Sequence, residues 1–139
     1  MSKEECVLCG HEEAAEWVTK TEIFTYKGIP VEVPNYKVLY CSFCDDGIVD
    51  RESADRAGEI LIKHQRVVDN LLQPEELKAG RNALDLTLED FSKLIGETPA
   101  LLGKYEQGLK AQPKTVDILI RLVFGSTECL EFLKKRNNV

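Results

Sequence analysis

Cys6-Val7-Leu8-Cys9 and Cys41-Ser42-Phe43-Cys44 decide how the first half of this chain folds. Thirty-one residues separate the two pairs, and the remaining cysteine is Cys129. Two residues between the cysteines of a pair let one chain reversal aim both thiolates at a single ion, and four soft sulfurs suit tetrahedral zinc. The competing readings are a disulfide pair or two redox dithiols. A redox Cys-x-x-Cys belongs in a thioredoxin-like βαβ setting, which the neighbouring residues do not offer, and matched pairs without a secretion leader favour metal. Four cysteines also close the coordination sphere and leave no position for water. The expectation is therefore one structural zinc ion per chain, held by Cys6, Cys9, Cys41 and Cys44. His11, two residues beyond Cys9, is not needed as a ligand when four sulfurs are at hand. Such a site contributes on the order of 10 kcal/mol, which a small module with a thin apolar core requires.

Between the pairs, Trp17 to Tyr26 and Ile29 to Tyr40 are rich in Thr, Val, Ile, Tyr and Phe. Apolar residues recur at alternate positions through Ile29, Val31 and Val33 and again through Tyr36, Val38 and Tyr40. With Lys27-Gly28 between them, the two runs predict a β-hairpin carrying one cysteine pair beyond each end. Pro30 and Pro34 predict that the second strand is partly an edge or starts late. Asp45-Asp46-Gly47 reads as a turn.

Ser53 then predicts an N-cap, and Ile60, Leu61, His64, Val67, Val68, Leu71 and Leu72 recur at three- and four-residue steps, an amphipathic helix to about Leu72. His64 in this stripe reads as a packed histidine, since no second metal cluster accompanies it. Gln73-Pro74 ends the helix, and Glu75 and Glu76 favour a new N-terminus. Short helices follow: one with Leu77, Arg81 and Leu84; one capped by Thr87 and stopped by Gly96; one capped by Thr98 with Pro99 first and Gly108 last; one from Pro113 to Gly125; and one from Ser126 to Lys135. The predicted fold class is α+β: a small four-cysteine zinc-binding β-hairpin module plus a connecting helix over 1–73, then an all-α helix-turn-helix domain over 74–139.

The 139 residues carry a net charge of −6. Divided at Pro74, the first part holds 8 Lys/Arg against 14 Asp/Glu and the second 10 of each, so the acidity belongs to the cysteine-bearing part. Four thiolates and one zinc would take it to about −8. A surface so negative repels nucleic acid and attracts basic partners, although on charge alone the simpler reading is that it keeps the module soluble. Apolar runs fall short of a membrane span, and the N-terminus carries Glu4 and Glu5 in place of a basic leader, so a cytoplasmic protein is expected. With no nucleophile–base pair, no phosphate loop, no open metal site and two histidines, the chain does not read as an enzyme.

Arg81, the run Leu86-Thr87-Leu88-Glu89-Asp90-Phe91-Ser92-Lys93-Leu94-Ile95-Gly96, the run Lys104-Tyr105-Glu106-Gln107-Gly108, and Pro113 resemble the repressor-type, lambda-Cro-like (Xre-like) helix-turn-helix. Behind paired Cys-x-x-Cys motifs flanking a hairpin, they make nearly the whole chain resemble the MqsA-type (YgiT-type) zinc-finger antitoxins. The resemblance implies a cytoplasmic bacterial protein with two tasks. Its zinc domain would neutralise a toxin, usually a small ribonuclease, and its C-terminal domain would dimerise, bind a palindromic operator and repress its own operon. An RNA-cutting toxin is expected to be basic, which gives the acidic N-terminal part a use.

The chain departs from the repressor pattern where DNA would be met. Leu88 stands where Gln usually touches phosphate, and the recognition helix offers Pro99, Ala100, Leu101, Gly103 and Lys104, of which only Lys104 can hydrogen-bond a base edge. Ala100 and Leu101 are suited to thymine methyls. Lys93, Lys104, Lys110 and Lys114 are the expected phosphate contacts, with the helix N-terminus at Pro113. Tyr105 and Glu106 read as structural, Glu106 pairing with Arg81. Cys129 reads as a buried apolar residue, and Leu119, Leu122, Phe124, Leu130 and Phe132 exceed what a small five-helix core requires, so part of this set is expected at a two-fold dimer interface. Two other functions fit the same pattern: a stand-alone zinc-containing transcription regulator, and an interaction module whose helix-turn-helix serves only dimerisation.

Overall fold

The computed structural model describes residues 3–139. Its element order is β1 (Ala15–Tyr26), β2 (Ile29–Cys41), β3 (Asp46–Val49), α1 (Arg51–Val68), α2 (Pro74–Ala83), α3 (Leu88–Ile95), α4 (Pro99–Gln107), α5 (Lys114–Gly125) and α6 (Thr127–Asn137). The chain separates into two compact units, dividing between Leu61 and Ile62 inside α1. The sequence reading instead puts the boundary at Gln73-Pro74.

In the first unit the strands form one antiparallel sheet in the order β1-β2-β3. Tyr26 pairs with Ile29 across the two-residue loop Lys27-Gly28, both at positive φ (50° and 78°), the twist-matched geometry of a tight hairpin. The ladder slips between Lys20 and Glu22, where Pro34 and Asn35 bulge from β2 and Asn35 takes φ 55°. β2 does not start late. Its proline-bearing half pairs only with β1, so Pro30 and Pro34 need no second partner.

Three expectations are corrected here. Asp45-Asp46-Gly47 is not wholly turn: Asp45 turns at φ 56°, and Asp46–Val49 then adds a third strand, pairing Cys41 with Asp46 and Val38 with Val49. The cap of α1 is Asp50, whose carboxylate accepts the Ser53 N–H at 2.9 Å. Hydrogen bonds from Ser53 hold the Asp50 carboxyl below its usual pKa range. Ser53 itself accepts the Lys37 N–H at 3.0 Å and is buried, tying the first turn of α1 to β2. Helix α1 also ends at Val68, earlier than the apolar stripe suggests, with Val67 63% exposed.

The second unit is all helical. Thr87, Thr98 and Ser126 accept the N–H groups of Asp90, Leu101 and Cys129, and Gly96 and Gly108 close α3 and α4 in the left-handed conformation. Its core joins Leu77, Phe91, Leu94, Leu102, Tyr105, Ile120 and Val123. Phe124 stacks on Phe91 at 5.6 Å, and a Cβ on Gly80 would lie 2.2 Å from the Phe124 ring, so α2 needs glycine there. Arg81 grips Glu106 in a two-point ion pair (2.9 and 3.1 Å) and also donates to the Leu86 carbonyl.

Arg66, near the end of α1, is 1% exposed. Its guanidinium donates to the carbonyls of Tyr105 (3.0 Å) and Lys110 (2.8 Å) and to Gln112. Gln112 in turn donates to the Leu72 carbonyl and Asp117, which also accepts the Leu72 N–H and pairs with Arg121 at 2.8 Å. This closed network pins the 108–112 loop, and no buried side-chain polar atom among the described residues lacks a partner. Replacing Arg66 with Ala removes its donors from the Lys110 carbonyl and the Gln112 side-chain oxygen, leaves the Tyr105 carbonyl with the Gly108 N–H alone, and should cost about 3–5 kcal/mol. Urea denaturation followed by helical circular dichroism checks this; a loss below about 1 kcal/mol would mean the network is not what fixes the loop.

Candidate metal centre and nucleic-acid interface

Both cysteine pairs are built the same way. The backbone N–H of Cys9 points at the Cys6 sulfur and that of Cys44 at the Cys41 sulfur, each at 3.5 Å. One residue on, Gly10 and Asp45 donate to the carbonyls of Cys6 and Cys41 (2.7 and 3.0 Å). Both sit at positive φ, 77° and 56°, which is how each chain reversal turns its two sulfurs the same way. The hairpin then brings the reversals together, since Ala15 pairs with Cys41 and Glu4 bridges back to Ala15.

All four sulfurs lie within 4.8 Å of one another. Cys6 and Cys44 are 3.8 Å apart, as are Cys9 and Cys41. A disulfide needs about 2.05 Å. A tetrahedron with metal–sulfur bonds of about 2.3 Å has edges of about 3.8 Å, so the donor set fits a tetrahedral, thiophilic metal ion. Cys6 and Cys41 are buried, and with Ala14, Ala15 and Leu39 they form the small core at this end of the sheet. His11 is not in the group; its ring stacks flat on Phe43, with centroids 4.0 Å apart, and so joins one reversal to the other.

The metal-free thiols differ in acidity. The Cys9 N–H holds Cys6 down to about 7. The Cys9 thiol receives a backbone hydrogen bond from His11, but desolvation and its neighbouring sulfurs outweigh it and raise its pKa. Desolvation and the hydrogen bond to Cys41 push Cys44 up to about 12.

The other candidate residues lie on α3 and α4, in the loop that follows them and at the start of α5. Lys93, Pro99, Ala100, Lys104, Lys110 and Lys114 are exposed. Leu101 and Gly103 are half-buried: Leu101 packs against the core, and a Cβ on Gly103 would lie 3.7 Å from Leu88. Gln107, exposed and three residues beyond Lys104, went unread in the sequence, although that spacing puts it on the same face. Cys129 is half-buried rather than buried; it lines a groove of about 290 Å³ with Leu119, Leu122, Phe132 and Leu133. Leu130 and Phe124 belong to the core, leaving Leu122 (49%) and Phe132 (67%) exposed.

A hairpin module that can hold a metal ion between four cysteines is joined by α1 to a helix-turn-helix unit, the two-part architecture of this chain. The chain belongs to the MqsA antitoxin family, the antitoxin component of a bacterial toxin-antitoxin system, whose pattern matches residues 4–134. It is similar to the Antitoxin MqsA of Escherichia coli (strain K12), with 24% identity over 116 residues that cover 82% of this chain and 88% of that protein. The family implies a toxin as partner. Among the described residues no helix is long and apolar enough to cross a membrane.

Protons compete with metal for the thiolates, so apparent affinity must fall with pH. Above about pH 7, metal entry displaces protons at least from Cys9 and Cys44; below it, Cys6 is protonated too. The slope of log affinity against pH should therefore steepen by about 1 as pH falls through about 7. Chelator competition between pH 6 and 8.5 reads this; a slope that stays constant would contradict the low Cys6 value.

Proposed function

We propose that this chain is an antitoxin that sequesters its toxin through the zinc-bearing module over 1–73 and represses its own operon through a helix-turn-helix over 74–139, acting as a homodimer. The observation that carries the reading is the family match across both parts, and the four-cysteine cluster supports it in the first. Zinc is the metal that four cysteines in a closed tetrahedron favour, and its place is structural: Cys6, Cys9, Cys41 and Cys44 hold it, and it fixes the two chain reversals. The partner is a small basic toxin, with a ribonuclease as the expected chemistry, and the acidity of the first part favours it. The operon is expected to be read in the cytoplasm, and the chain to regulate rather than catalyse.

On the DNA side, Lys93, Lys110 and Lys114 are assigned to phosphate and Lys104 to a base edge, with Pro99, Ala100, Leu101 and Gly103 forming the surface pressed into the groove. Arg66 supports this face by fixing the carbonyls of Tyr105 and Lys110. Two copies offering about four cations each should give a slope of log affinity against log salt of about −5 to −7 on a palindromic operator duplex. Lys104→Ala should reduce discrimination against a scrambled duplex about tenfold, whereas Lys110→Ala should weaken both duplexes alike. Fluorescence anisotropy across salt measures both; a flat slope would remove the repressor reading and leave the helix-turn-helix as a dimerisation platform.

The groove between α5 and α6, with Phe132 projecting beside it, supports the two-fold contact. Phe132→Glu should raise the dimer dissociation constant about 100-fold by burying an unpaired charge. Sedimentation equilibrium reads the change, and an unaltered dimer would place the contact elsewhere.

A further inference from the structure

We propose that the tips of the two cysteine reversals form a docking patch for a basic protein surface that offers an apolar side chain, and that the toxin is its occupant. The proposal rests on the antitoxin reading above and names the part of the module that does the binding. Val7 is 72% exposed, Leu8 54% and Phe43 66%. All three occupy the positions between paired cysteines, where the reversal is made by backbone hydrogen bonds and asks nothing of the side chains. The adjoining core of Cys6, Ala14, Ala15, Cys41 and Leu39 takes none of them in. The sulfur cluster holds the two reversals that carry them next to one another, and exposed apolar side chains grouped in this way are often functional.

The patch is held in shape before any partner arrives. Phe43 is braced by the His11 ring stacked on it, and Val7 and Leu8 are anchored by cysteines at both ends. Little side-chain or loop entropy is then lost on docking. Acidic residues flank both reversals along the chain: Glu4, Glu5, Glu12 and Glu13 are exposed around the first, and Asp45 and Asp46 after the second. Among residues 3–13 and 42–46 the only Lys or Arg is Lys3. Nucleic acid and anionic lipid are repelled by this field, and so is a second copy of the same patch. The complementary occupant is a cationic protein surface with an apolar centre.

The test titrates the full-length, metal-loaded protein with the toxin co-expressed from its own operon, using calorimetry. The variant Val7→Ser/Leu8→Ser/Phe43→Ser should bind at least 100-fold more weakly, with metal content and DNA affinity unchanged. Glu12→Lys/Glu13→Lys, which leaves the reversals intact, should bind about tenfold more weakly and lose much of the salt dependence. In the wild-type complex, amide exchange should slow at 7–10 and 42–45, a reading that holds even where the triple variant fails to fold. A wild type that binds toxin while both variants bind equally well and those amides gain no protection overturns the patch and leaves the antitoxin reading standing. A wild type that does not bind the toxin overturns both. Variants that lose dimerisation while keeping toxin affinity would assign the patch to a second copy and overturn the proposal as well.

Discussion

The convergence of four cysteine sulfurs is the constraint on which the first half of this molecule depends. That half has little else to hold it: its compact core at the cysteine end comprises two alanines and two of the cysteines themselves, with Leu39 against them. Burial on this scale cannot offset the ordering entropy of some sixty residues. The hairpin supplies register, and the reversals at Gly10 and Asp45 supply aim, but neither supplies much free energy. A metal ion bound by the sulfurs does. Its coordination would convert a long hairpin with one short added strand and little buried apolar surface into a fixed platform.

The helical unit solves the same problem by other means. It has a contiguous apolar core, capped helices and two internal polar devices, the Arg81–Glu106 pair and the network around Arg66. Both devices act on backbone as well as on side chains. Arg81 holds the Leu86 carbonyl just ahead of α3, while Arg66 holds those of Tyr105 and Lys110 on either side of the turn leaving α4. They border the helix-turn-helix, so the surface that meets DNA in the proposed function is positioned by buried hydrogen bonds rather than by its own contacts. Helix α1 contributes to each unit in turn: Ser53 bonds to β2 and Arg66 to the loop after α4.

Where the sequence was legible, the reason was local chemistry. Lys27-Gly28 has the composition of a tight hairpin loop, and Thr87, Gly96, Thr98 and Gly108 punctuate α3 and α4 through their own backbone groups. The paired cysteines announce their cluster by spacing alone. Several misreadings concern competition between local alternatives or partners distant in sequence. Asp50 and Ser53 are both good caps, and only the Lys37 N–H, sixteen residues away, takes Ser53 out of that role. Asp45-Asp46-Gly47 has turn composition, yet pairing with β2 draws Asp46 and Gly47 into a strand. An arginine inside an apolar stripe reads as solvated, so nothing before Arg66 or after it foretells acceptors 39 to 46 residues on.

Native mass spectrometry of the purified full-length protein, before and after a strong chelator, tests the central claim most directly. The account predicts one zinc ion per chain, four reduced cysteines masked from alkylation, and loss of the sheet's amide protection on metal removal while the helical unit keeps its own. A metal-free protein with the sheet intact, or cysteines oxidised in pairs, would contradict it.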